Sequence, residues 1–270
     1  MLEKLSLTKV ITTVLIVLIF TSCTKDAPFT GLTKEFNITS NANGATYNIG
    51  VALPENFNAS TDKYATIYVL DDEIIFGVVA NKCKELAEQI GAANVLVVSI
   101  GYGKDRSIDY TPTKMSSVTG GGPQFLKFIE TQLIPQIETN YRADRARSKR
   151  VILGHSYGGL LGAYSFTERN KIFGNHILLS PSLWFDNQVS FQHEKDNRAN
   201  NRGRQQLVFL GIGDKEEEDR MKEPFERYYQ ILRDNYTNIK LVKNYESNTG
   251  HIDSRNPNIM KGLEYYFNNR

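Results

Sequence analysis

The sequence predicts an α/β fold: a mostly parallel central sheet with helices on both faces and an N-terminal β-hairpin. Three observations predict it. From Tyr64 onward, short apolar runs of strand length alternate with stretches of helical periodicity, the pattern of parallel strands joined by helical crossovers. Near the start, two strand-like stretches flank the turn Asn41-Ala42-Asn43-Gly44. Finally, 270 residues that are 40% hydrophobic and 11% aromatic can close one large core without covalent staples.

Taken in order, Glu35 to Ser40 and Thr46 to Leu53 form the hairpin, and Tyr64 to Leu70 is a strand buried on both faces. Val78, Val79, Cys83, Leu86, Ala87 and Ile90 recur at helical spacing, and Gly91 supplies the stop. Cys83 lies on that apolar stripe, which makes it a small core residue rather than a nucleophile. Asn94 to Ile100 is the next strand. Pro123 to Tyr141 is a long amphipathic helix turning Phe125, Phe128, Ile129, Leu133 and Ile137 inward. Further strands start at Val151, at His176 and at Gln206, a helix runs around Arg220 to Leu232, and Ile239 to Lys243 alternates as a strand. The last helix, Pro257 to Asn268, buries Ile259, Leu263 and Phe267. His193 falls in a polar loop, and the loops Gly101 to Gly122 and Pro181 to Arg204 shape the site that such a sheet carries at the C-terminal ends of its strands.

The N-terminus has a different character. Lys4 and Lys9 accompany the apolar run Val10 to Phe20, short for a membrane span but suited to the core of a signal peptide. It ends in Phe20-Thr21-Ser22-Cys23, which resembles a bacterial lipobox and implies cleavage before Cys23 with lipid attached to its thiol. The expected organisation is a signal peptide over residues 1–22, a lipidated Cys23 and linker over 23–33, and a single domain over 34–270. A plain secretory signal and an uncleaved anchor are the alternatives. The mature protein would sit outside the cytoplasm at the bacterial envelope, in the periplasm or on the outer membrane, held to the membrane through Cys23.

Composition excludes several classes. A formal net charge of +2 without a basic-aromatic stripe gives no reason to expect nucleic acid as a partner. Two cysteines, Cys23 and Cys83, imply neither a disulfide framework nor a zinc cluster, and H-E-x-x-H does not occur. No metal and no cofactor is expected, and the oligomeric state is not legible.

The chemistry concentrates in Gly154-His155-Ser156-Tyr157-Gly158-Gly159, between the apolar run Val151-Ile152-Leu153 and the stretch Leu160 to Phe166. This is a G-x-S-x-G nucleophile elbow in strand-turn-helix context. Glycines flank the serine because side chains there would collide with the neighbouring strand or helix. The helix that follows aims its N–H groups and the positive end of its dipole at a developing oxyanion. Downstream, Gln206 to Leu210 ends in Gly211-Ile212-Gly213-Asp214, and the strand at Ile239 leads through Asn248-Thr249-Gly250 to His251. Nucleophile, acid and base thus follow one another in the order this class requires, each just past a strand.

Ser156 is therefore the expected nucleophile and His251 the expected base. For the acid, Asp214 follows its strand most directly, with Glu216 and Glu217 as alternatives in an acidic run that would also suit a helix start. The Tyr157 N–H is one expected oxyanion donor, and the second comes from the loop after Leu70, at Asp71 or Asp72. Trp184, the one tryptophan, and His155 are candidates to line the pocket, as is Arg106, which either meets an anionic substrate group or pairs with an acid.

Tyr68-Val69-Leu70-Asp71-Asp72, Gly101-Tyr102-Gly103 with Arg106, Asp109, Tyr110, Thr111 and Pro112, the elbow, and Ser180-Pro181-Ser182-Leu183-Trp184 together resemble the putative-esterase family of α/β-hydrolases. Siderophore esterases, esterase D and microbial feruloyl esterases belong to it, and the siderophore-esterase-like branch is the most similar. The resemblance spans nearly the whole mature chain. It implies the α/β-hydrolase fold and ester cleavage by a Ser-His-acid acyl-enzyme mechanism, with siderophore or glycan-linked esters as substrates. The family often has Leu-Asp-Gly where this chain has Leu70-Asp71-Asp72. A catalytically idle α/β-hydrolase-fold binding module at the cell envelope is the alternative function.

Overall fold

The computed structural model describes residues 28–55, 57–91 and 95–270. The expected signal peptide and Cys23 lie outside the described residues. Within them, eight strands form one sheet: β1 (Thr33–Thr39), β2 (Thr46–Ala52), β3 (Thr66–Leu70), β4 (Leu96–Ile100), β5 (Arg150–His155), β6 (Asn175–Leu179), β7 (Gln206–Gly213) and β8 (Ile239–Glu246). Their spatial order is β1-β2-β4-β3-β5-β6-β7-β8. β1 pairs with β2 and β2 with β4 in antiparallel fashion, the expected hairpin docked on the sheet; every other pairing is parallel.

Alternation along the central strands sorts side chains to two faces. Ile67 and Val69 of β3, with Val151 and Leu153 of β5, pack against α1 (Asp72–Gln89) and the terminal helix. Tyr68, Leu70 and Ile152 point the other way, toward Phe125, Phe128 and Ile129. Such two-sided burial explains why β3 and β4 read as near-continuous apolar runs. Cys83 is a buried free thiol on α1, and burial pushes its pKa up. Ile90, expected on the same stripe, caps α1 instead and is exposed.

Two helices depart from regular geometry for one reason. The expected helix over 123–141 begins as α3 (Gly122–Phe128) after the short α2 (Arg106–Tyr110) and ends as α4 (Ile134–Asn140). Between them, Ile129–Leu133 forms a widened π turn in which the Ile134 N–H reaches the Ile129 carbonyl. A second π turn, Glu218–Lys222, precedes α7 (Glu223–Asn235), and there the Glu223 N–H reaches the Glu218 carbonyl. Each widened turn runs directly into a helix with a proline in its first two positions, Pro135 and Pro224. A proline inside a helix cannot donate to the carbonyl four residues back, and its ring collides with it; an extra residue in that turn relieves the collision.

The remaining helices are α5 (Tyr157–Glu168), α6 (Phe185–Asn201) and α8 (Arg255–Asn269). Residues 181–204, expected as a loop, are therefore mostly helix, and His193 lies on α6. Asp186, Asn187 and Gln188 near its start all have positive φ, between 45° and 63°, which kinks the helix beside the site. Asp186 is tied there by the Thr113 hydroxyl. Among the described residues no helix is long and apolar enough to cross a membrane.

Candidate active site

The sheet reverses direction of growth at β3: β4 lies on one side of it and β5 on the other. Crevices at such a switch, past the C-terminal ends of the strands, are where open α/β sheets place their sites. β5 ends there in His155, and α5 starts at Tyr157. Ser156 between them holds φ 59° and ψ −115°, a strained conformation for any residue with a side chain. The elbow is compact because Gly154 has no Cβ: one placed there would lie 2.5 Å from the carbonyl carbon of Gly158. A Cβ on Gly159 would lie 2.9 Å from the Pro181 Cα.

Ser156 and His251 line one cavity of about 320 Å³, with Tyr157, Ser182, Trp184, Glu217, Arg220 and Met221 among the walls. The Ser156 and Ser182 hydroxyls stand 3.4 Å apart, and the Ser182 N–H donates to the Ser156 carbonyl. Behind His251, Nδ1–H donates to Glu216 Oε2 at 2.8 Å. Donation from Nδ1 leaves Nε2 with its lone pair, the tautomer a general base needs.

Glu216, not Asp214, meets His251. The chain turns sharply after β7, closed by the Glu216 N–H to the Gly213 carbonyl, so the third residue of the turn comes back beneath the sheet end while the first faces out. Exposed Asp214 accepts from the Thr249 N–H at 3.2 Å and so braces the loop that carries His251. Glu216 is buried, and its Oε1 accepts from the Ser180 hydroxyl at 2.6 Å and the Gly213 N–H at 3.0 Å. Burial raises its pKa, but hydrogen bonds from His251, Ser180 and Gly213 outweigh it and hold the carboxyl below its ordinary value. Glu217 is exposed on the cavity wall.

The other expected pocket residues lie deeper. His155 is buried, its ring 4.6 Å from that of His251, and its Nε2–H donates to the His251 carbonyl at 2.8 Å. Burial first, then the neighbouring His251, lower its pKa to about 3. Arg106 is committed inward. Its Nε and Nη2 meet the two oxygens of Asp71 at 2.5 and 3.2 Å, and Nη2 also donates to the His155 carbonyl at 2.7 Å. The Tyr102 hydroxyl adds a bond to Asp71 Oδ1. Arg106 thus staples the loop after β3 to the end of β5 instead of facing the cavity.

The same cluster bears on the oxyanion donors. The Asp71 N–H is spent on the Tyr110 hydroxyl at 2.9 Å, which removes it from consideration. Asp72 opens α1 and Tyr157 opens α5, and the first N–H groups of a helix have no partner within it. Ser180, Ser182 and the Gly213 N–H gain site roles that the sequence alone does not assign, although the Ser180-Pro181-Ser182 run belongs to the family resemblance: Ser180 has φ 40° and turns its hydroxyl to Glu216. Among the described residues no cluster suited to a metal ion is present.

Sheet order, elbow and the bond between His251 and buried Glu216 define an α/β-hydrolase fold. The chain belongs to the esterase family whose model, described as "Putative esterase", matches residues 40–258. It is similar to the siderophore triacetylfusarinine C esterase of Aspergillus fumigatus, 29% identical over 168 residues, covering 57% of each chain. The ferri-bacillibactin esterase BesA of Bacillus subtilis is 30% identical over 159 residues, 51% of this chain and 54% of that one. The chain thus matches little more than half the length of these relatives. Among solved structures, the BES protein from Bacillus cereus superposes with a TM-score of 0.76 at 25% identity, covering 98% of both chains. The IroE-like serine hydrolase from Shewanella oneidensis shares the fold, with a TM-score of 0.78 at 24% identity over 88% of this chain and 80% of that one.

Proposed function

We propose that the protein is a serine hydrolase that cleaves carboxylic esters through an acyl-enzyme, with siderophore esters as its substrates. The observation that carries the proposal is the His251–Glu216 bond at the wall of the cavity that Ser156 lines. Ser156 Oγ attacks the ester carbonyl while His251 Nε2 takes its proton, and Glu216 stabilises the imidazolium that forms. The N–H groups of Tyr157 and Asp72 receive the oxyanion. His251 then returns the proton to the leaving alkoxide, and water repeats the sequence to free the acid and restore Ser156. The siderophore class is extended to this chain from the Aspergillus fumigatus and Bacillus subtilis esterases it is similar to. An idle binding module would have no use for a carboxylate buried beneath a histidine, which is costly to build unless it is hydrogen-bonded and used.

Residues 1–23 support secretion and lipid attachment at Cys23, with residues 34–270 acting as one extracytoplasmic domain. Two variants test the proposal. Ser156→Ala should keep the fold and lose p-nitrophenyl butyrate turnover by on the order of 10⁴-fold or more, whereas retention of a tenth of the rate, ~10³ above that expectation, would remove Ser156 as nucleophile. Cys23→Ala should abolish palmitate labelling and membrane association, and a wild type that is itself unlabelled and free would reduce the leader to a plain secretory signal.

A further inference from the structure

We infer that Trp184 and Arg220 form a recognition wall for a negatively charged group on the substrate, close to the reacting ester. The inference rests on the reading of the Ser156 cavity as an ester-binding site. Arg220 is exposed, lines that cavity, and holds its guanidinium 4.0 Å over the Trp184 ring. The Trp184 ring stands 6.2 Å from that of Tyr157, whose N–H is the elbow's oxyanion donor, so the wall adjoins the reacting centre.

Two features separate Arg220 from ordinary surface cations. Among the described residues no ion pair or hydrogen bond occupies its guanidinium, whereas Arg106, also near the elbow, is spent on Asp71 and His155, and Lys222 in the same turn pairs with Glu218. Moreover, Arg220 sits in the π turn that Pro224 imposes, and it is the residue whose carbonyl that proline cannot serve. The widened turn fixes where its side chain departs. A guanidinium held over an indole face and bonded to no other group keeps N–H groups free for an anion, such as a carboxylate or an ionised aromatic hydroxyl. Glu217, three residues earlier, lines the cavity without pairing to Arg220, so an anion is favoured at this wall and disfavoured beside Glu217.

The matched probes are monomethyl adipate, which carries a terminal carboxylate, and methyl hexanoate, its neutral counterpart. Trp184 is the chain's one tryptophan, so its fluorescence reads binding directly. In the Ser156→Ala protein, which cannot turn the esters over, adipate should bind more tightly than hexanoate, and the difference should shrink at high salt. Adding Arg220→Gln should cut the adipate-to-hexanoate affinity ratio about tenfold, Arg220→Lys should restore part of it, and Glu217→Gln should raise it. In the catalytic protein the kcat/KM ratio for the two esters should follow the same ranking. An unchanged ratio in Arg220→Gln, or an equal loss for both esters, overturns the inference. A wild type that hydrolyses neither ester counts against the esterase reading alone, because the fluorescence titration still decides the role of Arg220.

Discussion

Two carboxylates two residues apart do different work. Glu216 is buried and bonded to His251 Nδ1, while Asp214 braces the His251 loop through the Thr249 N–H. Glu216→Gln should therefore lower kcat by roughly 10⁴-fold, as amide replacement does in comparable triads, because the amide's NH₂ group can turn toward Nδ1 and disfavour the working tautomer. Asp214→Asn should cost far less, since a carbonyl oxygen still accepts from Thr249. Steady-state rates on p-nitrophenyl butyrate check the ranking, and a larger loss in Asp214→Asn would reassign the acid. The positions of Ser156 and His251 were legible because each follows a recognisable strand in a required order. Choosing among Asp214, Glu216 and Glu217 was not possible from spacing, since the choice depends on how tightly the chain turns after Gly213. Arg106 was ambiguous for a related reason: its partner Asp71 lies 35 residues away, with α1 and β4 between them in the chain.

At the scale of elements, the strands and most helices were legible because burial on one or both faces leaves a period that survives in the sequence. The π turns and the α6 kink were not, because a one-residue insertion or a run of positive φ leaves the apolar pattern nearly intact. The elbow makes a sharper demand. Gly154→Ala would place a methyl 2.5 Å from the Gly158 backbone, so β5 and α5 must separate; a loss of about 1–3 kcal/mol of stability is expected, together with lower activity. Gly203, where an added Cβ meets no atom within 4 Å, is the matched control: its alanine variant should change stability by less than about 1 kcal/mol and leave activity intact. Urea unfolding of both variants checks the contrast, and equal effects would show that the strand–helix contact is not what the glycine serves.

The whole molecule carries two buried histidines whose protonation folding opposes. Burial lowers His155 and His176 each to about 3, and neither ring nitrogen of His176 has a partner among the described residues, in a niche made by the Phe166 and Phe173 rings. Their folded values lie below the unfolded imidazole value of about 6.5, so on acidification the unfolded chain takes up these protons first. Each histidine therefore lowers stability progressively as the pH falls from about 6.5 toward 3. Glu216, held below its ordinary value, adds to the loss in the more acidic part of that range. Urea midpoints between pH 7 and 4.5 should fall accordingly. His176→Phe, which keeps the packing and removes the titrating group, should reduce the slope; an unaltered slope would mean that His176 takes no part.

The placement of β8 has a kinetic corollary. β8 is the outermost strand on its side of the sheet, and none of its residues is fully buried, yet the loop after it carries His251. Ser156 sits three strands inward, 95 positions earlier in the chain. Detaching one border strand would therefore disarm the centre while the interior stays intact, and partial opening of this kind is cheapest at such margins. On refolding, turnover needs both the β7–β8 pairing, Gln206 to Ile239, and the longer-range β3–β5 pairing, Thr66 to Arg150, that seats the elbow, so recovered turnover marks the end of assembly instead of its nucleus.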